Sequence, residues 1–270
     1  MKFIDLFCGI GSFHYSFKKL GYKCVMASDI YAPAKENYKN NHGTEPLGDI
    51  CEIDPRNIEP YDILCAGFPC QPFSQAGQHR GFNDERGTMF SQVMRFIKAG
   101  VPKIVILENV QGLLSHDGGN SFLKIQKELS NEGYDVIHKV LKCDDYGIPQ
   151  MRKRLFIIGF KNGAPPNFFD LSEYEKKVSL SEYLGKNFEK ESAYTIRCGG
   201  KNSRIEDKHN WDGYIVDGQE YRLTIEDALK LQGFEDYNMV GSKLNKWKLL
   251  GNTIPTNFTH IIGKQILKLT

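Results

Sequence analysis

Through its first 160 residues the chain alternates short apolar runs with segments whose apolar positions recur at helical spacing. KFIDLF (2–7), CVMAS (24–28), DILCAG (62–67), KIVILEN (103–109), YDVIHKVL (134–141) and RLFIIGF (154–160) predict strands. Several are unbroken apolar runs, the pattern of strands covered on both faces. Between them, 12–20, 33–40, 88–99 and 121–131 have the spacing and length of helices. This alternation predicts an α/β domain over 1–162, a doubly wound, mostly parallel sheet with helices on both faces. Ligands of such sheets bind beyond the carboxyl ends of the strands. The pattern breaks at NGAPPNFF (162–169), and from 163 to 220 the chain is polar and irregular, which predicts a separate small lobe. In the closing section, 221–270, TIEDALKLQGF (224–234) predicts a helix stopped at Gly233. TNFTHIIGKQILKL (256–269) predicts an amphipathic helix returning to the sheet.

Composition narrows the class. At 40% hydrophobic and 25% charged residues the chain can bury a sizeable core. No run approaches the roughly 20 apolar residues of a membrane span. The opening MKFIDLFCGIGSF is interrupted by Asp5 and lacks a small-residue cleavage site, so it reads as a buried first strand of a cytoplasmic protein. Seven cysteines with no C-x-x-C pair argue against a disulfide framework and a zinc knuckle, and for reduced thiols; no metal site is expected. The net charge of +2, from 35 basic and 33 acidic residues, is too balanced to identify a nucleic-acid partner. Such a contact must come from a local patch.

Several positions carry candidate chemistry. Gly9 and Gly11 in DLFCGIGS (5–12) follow a strand and open a helix, where a ligand can approach bare backbone N–H groups; a plain tight turn is the alternative. Asp29 ends the second strand, where a carboxylate takes a ribose diol in nucleotide-type folds, and Asp49 lies past the next helix at the same edge. Together they suggest an adenosine cofactor. In AGFPCQPFSQAG (66–77), Cys70 sits between Pro69 and Pro72 on a stiff loop, as a nucleophile or as an ordinary small residue. Glu108 ends an almost wholly apolar strand; buried there, its pKa rises and suits it to donating a proton, unless a neighbouring loop merely holds it. Gln150, Arg152 and Arg154 alternate at strand spacing, which predicts one face holding an anion or a carbonyl, or a solvated edge. Arg86 precedes a helix, as a phosphate contact or part of a solvated turn.

The order of DLFCGIGS, GDI, GFPCQPFS, RGTMF, ENV, QMRKR and GNTIPTNF resembles the cytosine-C5 DNA methyltransferases over nearly the whole chain except 163–220. The resemblance implies the S-adenosylmethionine-dependent methyltransferase form of the doubly wound sheet, with a small irregular target-recognition lobe. It implies that Cys70 adds to C6 of a flipped-out cytosine, that Glu108 holds N3 and the exocyclic amine, and that Arg154, with Arg152, binds the O2 side. For the cofactor it implies Phe7, Gly9, Ile10 and Gly11 at the first turn, Asp29 on the ribose and Ile30 against the adenine. Asp49 and Ile50 would read the adenine, Pro69 would border the site, and Asn252 and Thr253 would close it. The loop 74–87 becomes a lid, with Ser74 and Arg86, and likewise Gln150, on the nucleic acid. Base reading falls to 195–211, through Arg197, Lys201, Arg204 and Lys208.

Some positions depart from the family pattern. Ser12 replaces a common second glycine, Asp29 a usual glutamate, Ile225-Glu226-Asp227 the usual Pro-Arg-Glu, and Lys230 an arginine. The lobe is short and carries 8 basic against 11 acidic residues, a net of −3. The implied substrate is duplex DNA, in a restriction-modification setting without direct contact to an endonuclease, and a monomer suffices because one chain holds one full site. Relatives that methylate transfer RNA carry a Cys-Phe-Thr element before the last motifs, which is absent here. A non-catalytic binding module is the other alternative, opposed by the intact Cys70, Glu108, Arg152 and Arg154.

Overall fold

The computed structural model describes residues 1–69, 89–199 and 202–269. Its six-stranded sheet is built from β1 (Lys2–Leu6), β2 (Lys23–Ser28), β3 (Ile63–Ala66), β4 (Ile104–Asn109), β5 (Asp135–Lys142) and β6 (Lys153–Phe160) in the order β2-β1-β3-β4-β6-β5. β1 pairs in parallel with β2 and β3, and β3 with β4. β6 is inserted antiparallel between β4 and β5, the one reversed strand of this sheet. From β1 the chain moves first to β2 on one side and then to β3 on the other. The loops after β1 and β3 therefore flank the topological switch point, where doubly wound sheets bind ligands.

Side-chain alternation sends residues to two cores. Phe3, Ile63, Cys65, Ile106, Phe156 and Ile158 face α1 (Ser12–Lys19) and a C-terminal helix, whereas Ile4, Leu64, Val105, Leu107, Leu155 and Ile157 face the opposite layer. After α2 (Ala32–His42), that opposite layer is formed by α3 (Met89–Gly100) and α4 (Asn120–Asn131), through Val93, Phe96, Ile97, Ile125 and Leu129. All ten predicted elements of the first 160 residues are present, with ends moved by a residue or two.

The segment 163–220 differs from its expectation. It contains α5 (Leu180–Leu184) and the hairpin strand β7 (Gly213–Val216), whose partner is β8 (Gln219–Arg222). Its Phe168, Leu171, Leu180, Phe188, Ile196, Trp211 and Tyr214 belong to the same core as Phe156 and Ile158 of β6. The boundary near 162 is a change in regularity, not a gap in packing.

Three helices close the chain: α6 (Ile225–Leu231), α7 (Lys243–Asn252) and α8 (Thr256–Leu267). α6 starts with a capping box in which Thr224 and Asp227 each accept from the other's backbone. Asp227 also takes Lys186 Nζ at 2.8 Å and the Tyr221 hydroxyl. The Glu226-Asp227 departure thus brings its own brace to the 163–220 segment. α8 packs on α1 and reaches the sheet: Tyr22 Oη donates to the Gly263 carbonyl, and Phe258 meets Phe156 of β6 at a ring separation of 5.7 Å. Among the described residues, no helix is long and apolar enough to cross a membrane.

Candidate active site

Glu108 and Arg154 meet at the carboxyl end of β4. Register places Glu108 opposite Phe156, so Arg154, two residues earlier on β6, lies diagonally beside it on the same face. Arg154 Nε stands 2.8 Å from Glu108 Oε1. Burial pushes the Glu108 carboxyl up, against the opposing pull of Arg154 and then Arg152. A Cβ on Gly67 would lie 3.4 Å from Glu108 Oε2 and 3.3 Å from Ile254 Cδ1. A side chain there would press on both, so the chain leaves β3 in close contact with the pair. Asn109, which the sequence reading passed over, donates from Nδ2 to the buried Phe68 carbonyl at 3.0 Å. It ties the end of β4 to the stem of the loop that leads to Cys70. Pro69 is exposed. Cys70, Ser74, Arg86 and Lys201 lie outside the described residues.

The expectation for Gln150 and Arg152 is corrected. Strand β6 begins only at Lys153, and the stretch before it runs beside 193–196 instead of along a free edge. Gln150 is 0% and Arg152 1% exposed, covered by that segment and the C-terminal helices. Both ends of the Gln150 amide are used, by the Leu231 carbonyl and the Ile196 N–H. Arg152 donates to the carbonyls of Ile196, Gly251 and Thr253. Of the three side chains, only Arg154 reaches Glu108, and Gln150 presents nothing to a nucleic acid.

The turn after β1 has positive φ at Phe7, Gly9 and Gly11, at 56°, 55° and 84°. Its N–H groups are not bare as expected. Gly9 N–H donates to Asp29 Oδ2 at 2.8 Å and Gly11 N–H to the Cys8 carbonyl at 2.8 Å. The helix that follows has no side-chain cap from its own start; the buried Asp5 carboxyl reaches across from β1 to the His14 N–H. A phosphate-binding loop keeps such donors free, whereas this one offers a carboxylate. Asp29 Oδ1 also accepts from Tyr31 N–H, and burial raises its pKa. Beside it Ile30 is 74% exposed, an apolar side chain two residues past the end of β2. Open space lies where a Cβ on Gly9 would point. Carboxylate, bare Cα and apolar plate fit an adenosyl group with no phosphate.

Other assigned positions take different parts. The Ile10 and Ile50 side chains are buried in the two cores, so only their backbones can border a ligand. Asp49 is half-buried and accepts from Cys51 N–H; it also lines a cleft of about 390 Å³ with Leu47, Glu52, Ile53 and Asn57. Asn252 ends α7, exposed, and accepts from Cys198 Sγ at 2.9 Å. The Thr253 hydroxyl is spent on the Leu249 carbonyl.

Arg197, Arg204 and Lys208 are all exposed. The loop carrying them is anchored from beneath by residues the sequence reading missed. Trp211 Nε1 donates to the Gly199 carbonyl at 2.8 Å, and the fully buried Asp212 pairs with Arg222 and accepts from Asn202 N–H. Helix α7 was also missed; it adds Lys243, Lys246 and Lys248 and no acidic residue.

A doubly wound sheet with a glycine turn and a carboxylate at its switch point, and a buried Glu–Arg pair at the end of the neighbouring β4, has the arrangement of a nucleotide-type α/β fold. Residues 1–215 match the sequence model of the C-5 cytosine-specific DNA methylases. The chain belongs to that family, and by class it is a DNA cytosine-5-methyltransferase. It is 32% identical to the type II methyltransferase M.HhaI of Haemophilus parahaemolyticus, over 98% of this chain and 94% of that protein. With M.DsaV of Dactylococcopsis salina it shares 33% identity over 99% and 86% of the two chains. In fold it resembles the Dnmt2 methyltransferase of S. pombe, with a TM-score of 0.75 at 20% identity, covering 100% and 99% of the chains.

Proposed function

We propose that the chain transfers a methyl group from S-adenosylmethionine to C5 of a cytosine flipped out of a specific duplex DNA sequence, through a covalent adduct between Cys70 Sγ and C6. The supporting observation is the buried Glu108–Arg154 pair beside Gly67, three residues before Cys70. Phe7, Gly9 and Gly11, with Asp29, Ile30, Asp49 and Asn252, would hold the cofactor. When bound it supplies a sulfonium-activated methyl group as the electrophile.

The residues divide the remaining work. The Cys70 thiolate adds to C6 and makes C5 nucleophilic. Glu108, its carboxyl raised by burial, donates a proton toward N3 as negative charge builds on the ring. Arg154 holds Glu108 in place and turns its guanidinium to O2. Once C5 carries the methyl group, its proton would pass to solvent water. The electron pair left behind re-forms the C5–C6 double bond as the C6–S bond breaks and the thiolate leaves. A thiol cannot reach C6 inside a base stack, so the base must leave the helix at a cost of a few kcal/mol. Arg197, Arg204 and Lys208, with Lys201, read the flanking sequence. One chain carries the whole set, and so acts as a monomer in the cytoplasm, in company with a restriction endonuclease it need not touch.

The test is methyl transfer from labelled S-adenosylmethionine by the purified chain and by Cys70→Ser, offered mixed-sequence duplex DNA and total transfer RNA. Base-resolved 5-methylcytosine on DNA that vanishes in Cys70→Ser is the expected result. Label confined to RNA overturns the substrate assignment, and label on DNA that persists in Cys70→Ser overturns the adduct.

A further inference from the structure

The exposed basic segment enters through Ile196, and both polar groups of that residue's backbone are held by buried side chains. Ile196 N–H donates to Gln150 Oε1 at 3.2 Å, and its carbonyl accepts from Arg152 Nη1 at 3.0 Å. The far ends of the same side chains grip the C-terminal helices. Gln150 Nε2 donates to the Leu231 carbonyl at 2.6 Å, where α6 ends. Arg152 Nη2 donates to the Gly251 carbonyl at 3.0 Å and the Thr253 carbonyl at 2.7 Å, where α7 ends.

Burying a guanidinium is costly without partners. Even with three carbonyls, burial and then the neighbouring Arg154 pull Arg152 down to about 9. A planar fork can serve three carbonyls from two directions, which an ammonium on a flexible stem cannot. The contact is also steric. A Cβ on Gly251 would lie 2.4 Å from Cys198 N and 2.5 Å from Arg197 C, so the backbone of the basic segment rests directly on Gly251. Cys198 Sγ closes the seam on Asn252. Residues 196–198 and 251–253 are thus one packed unit with Arg152 at its centre, two residues from the arginine that holds Glu108.

We infer that Arg152 is a positioning residue that locks the base-reading segment, from Ile196 onward, to the Gly251–Thr253 turn, so that duplex DNA on one and cofactor on the other bind cooperatively. The inference rests on the proposed function above. Because coupling between two binding sites is reciprocal, the same factor must appear from either side.

The experiment measures S-adenosylhomocysteine affinity by calorimetry, with and without the duplex the wild type methylates, and duplex affinity by anisotropy, with and without S-adenosylhomocysteine. It is run on the wild type, Arg152→Lys, Gly251→Ala and Gly263→Ala, each with a melting curve. Gly263→Ala disturbs the α1–α8 contact, where a Cβ would meet Leu20 Cδ1 at 2.7 Å, and controls for destabilisation remote from the clamp. The wild type should show each ligand tightening the other by the same factor, about tenfold. That factor should fall toward one in Arg152→Lys and Gly251→Ala but survive in Gly263→Ala. Should one clamp variant not fold, the other carries the test. A wild type without coupling, or clamp variants that retain it, overturn the inference while leaving methylation intact. A wild type that methylates no duplex overturns the proposed function and this inference with it.

Discussion

Arg154 Nε and Glu108 Oε1 lie 2.8 Å apart across two antiparallel strands, with the arginine side chain 14% and the glutamate 10% exposed. The ion pair and the burial act in opposite directions on the carboxyl, and burial prevails. A raised carboxyl keeps a protonated fraction above the ordinary carboxylate range and loses it as pH climbs through the raised value. Single-turnover methylation should therefore fall on the alkaline side. Glu108→Gln should lower the rate by about 10²–10⁴ and abolish that limb while the protein stays folded. An alkaline limb that survives in Glu108→Gln assigns it to another group.

His14 and His42 stack beneath the glycine turn with ring centroids 4.3 Å apart. Their neighbours fix them: His14 Nδ1 is 2.6 Å from the Tyr38 hydroxyl, and His42 Nε2 is 3.2 Å from the Ile10 carbonyl. Burial lowers both, His14 to about 3 and His42 to about 4. As pH falls below about 6.5 the unfolded chain takes protons that the folded chain refuses, so their stability contribution is present at neutral pH and lost on acidification. The loss should approach about 1.4 kcal/mol per pH unit for each imidazole. Urea midpoints between pH 7.5 and 4.5 should drop steeply for the wild type and less steeply for His42→Gln, which keeps a donor for the Ile10 carbonyl. Parallel curves would remove His42 from the account.

The strands and helices around this turn were legible because their apolar runs are long enough to show a period. Residues 163–220 were not, since Phe188, Ile196, Trp211 and Tyr214 reach the core singly from irregular backbone. Helix α7 hid for a related reason: its buried positions, Trp247 and Leu249 to Gly251, crowd one end. For Gln150 and Arg152, alternation gave a common face, but nothing in a charged residue's neighbours says that carbonyls 44, 99 and 101 positions away will enclose it. Glu108 was readable because a lone carboxylate ending an apolar strand is anomalous wherever that strand is buried.

Asp212 ties the described residues after 201 in the basic loop to β8. Its Oδ1 accepts from Arg222 Nη1 at 3.2 Å and from Asn202 N–H at 3.1 Å, while Arg222 Nη2 holds the Ser203 carbonyl at 2.7 Å. Asp212→Asn removes the charge from a fully buried site and should cost about 1–3 kcal/mol. Because those side-chain bonds stay within 202–222, duplex affinity should fall at least about tenfold with S-adenosylhomocysteine affinity nearly unchanged. Calorimetry and anisotropy on the same preparation separate the two. Equal losses would mean that Asp212 supports the whole molecule and not the loop.

Asp29 holds the glycine turn after β1 and behaves in the opposite sense. Its Oδ2 accepts from Gly9 N–H and its Oδ1 from Tyr31 N–H, both at 2.8 Å, so each oxygen already faces a donor on its protein side. An amide cannot reproduce this, because its NH₂ would confront one of the two N–H groups. Asp29→Asn should therefore displace either the glycine turn or the start of α2, at a cost of about 1–3 kcal/mol. It should also weaken S-adenosylhomocysteine binding by at least about tenfold, whereas Ile30→Ala, beside it but exposed, should weaken binding with little change in melting temperature. The contrast matters more than either loss. A carboxylate that both shapes the turn and meets the ligand fails in both assays, and an apolar plate that only meets the ligand fails in one. Unchanged binding in Ile30→Ala would remove the adenine from that side chain, and unchanged binding in Asp29→Asn would leave Asp29 with a purely structural task.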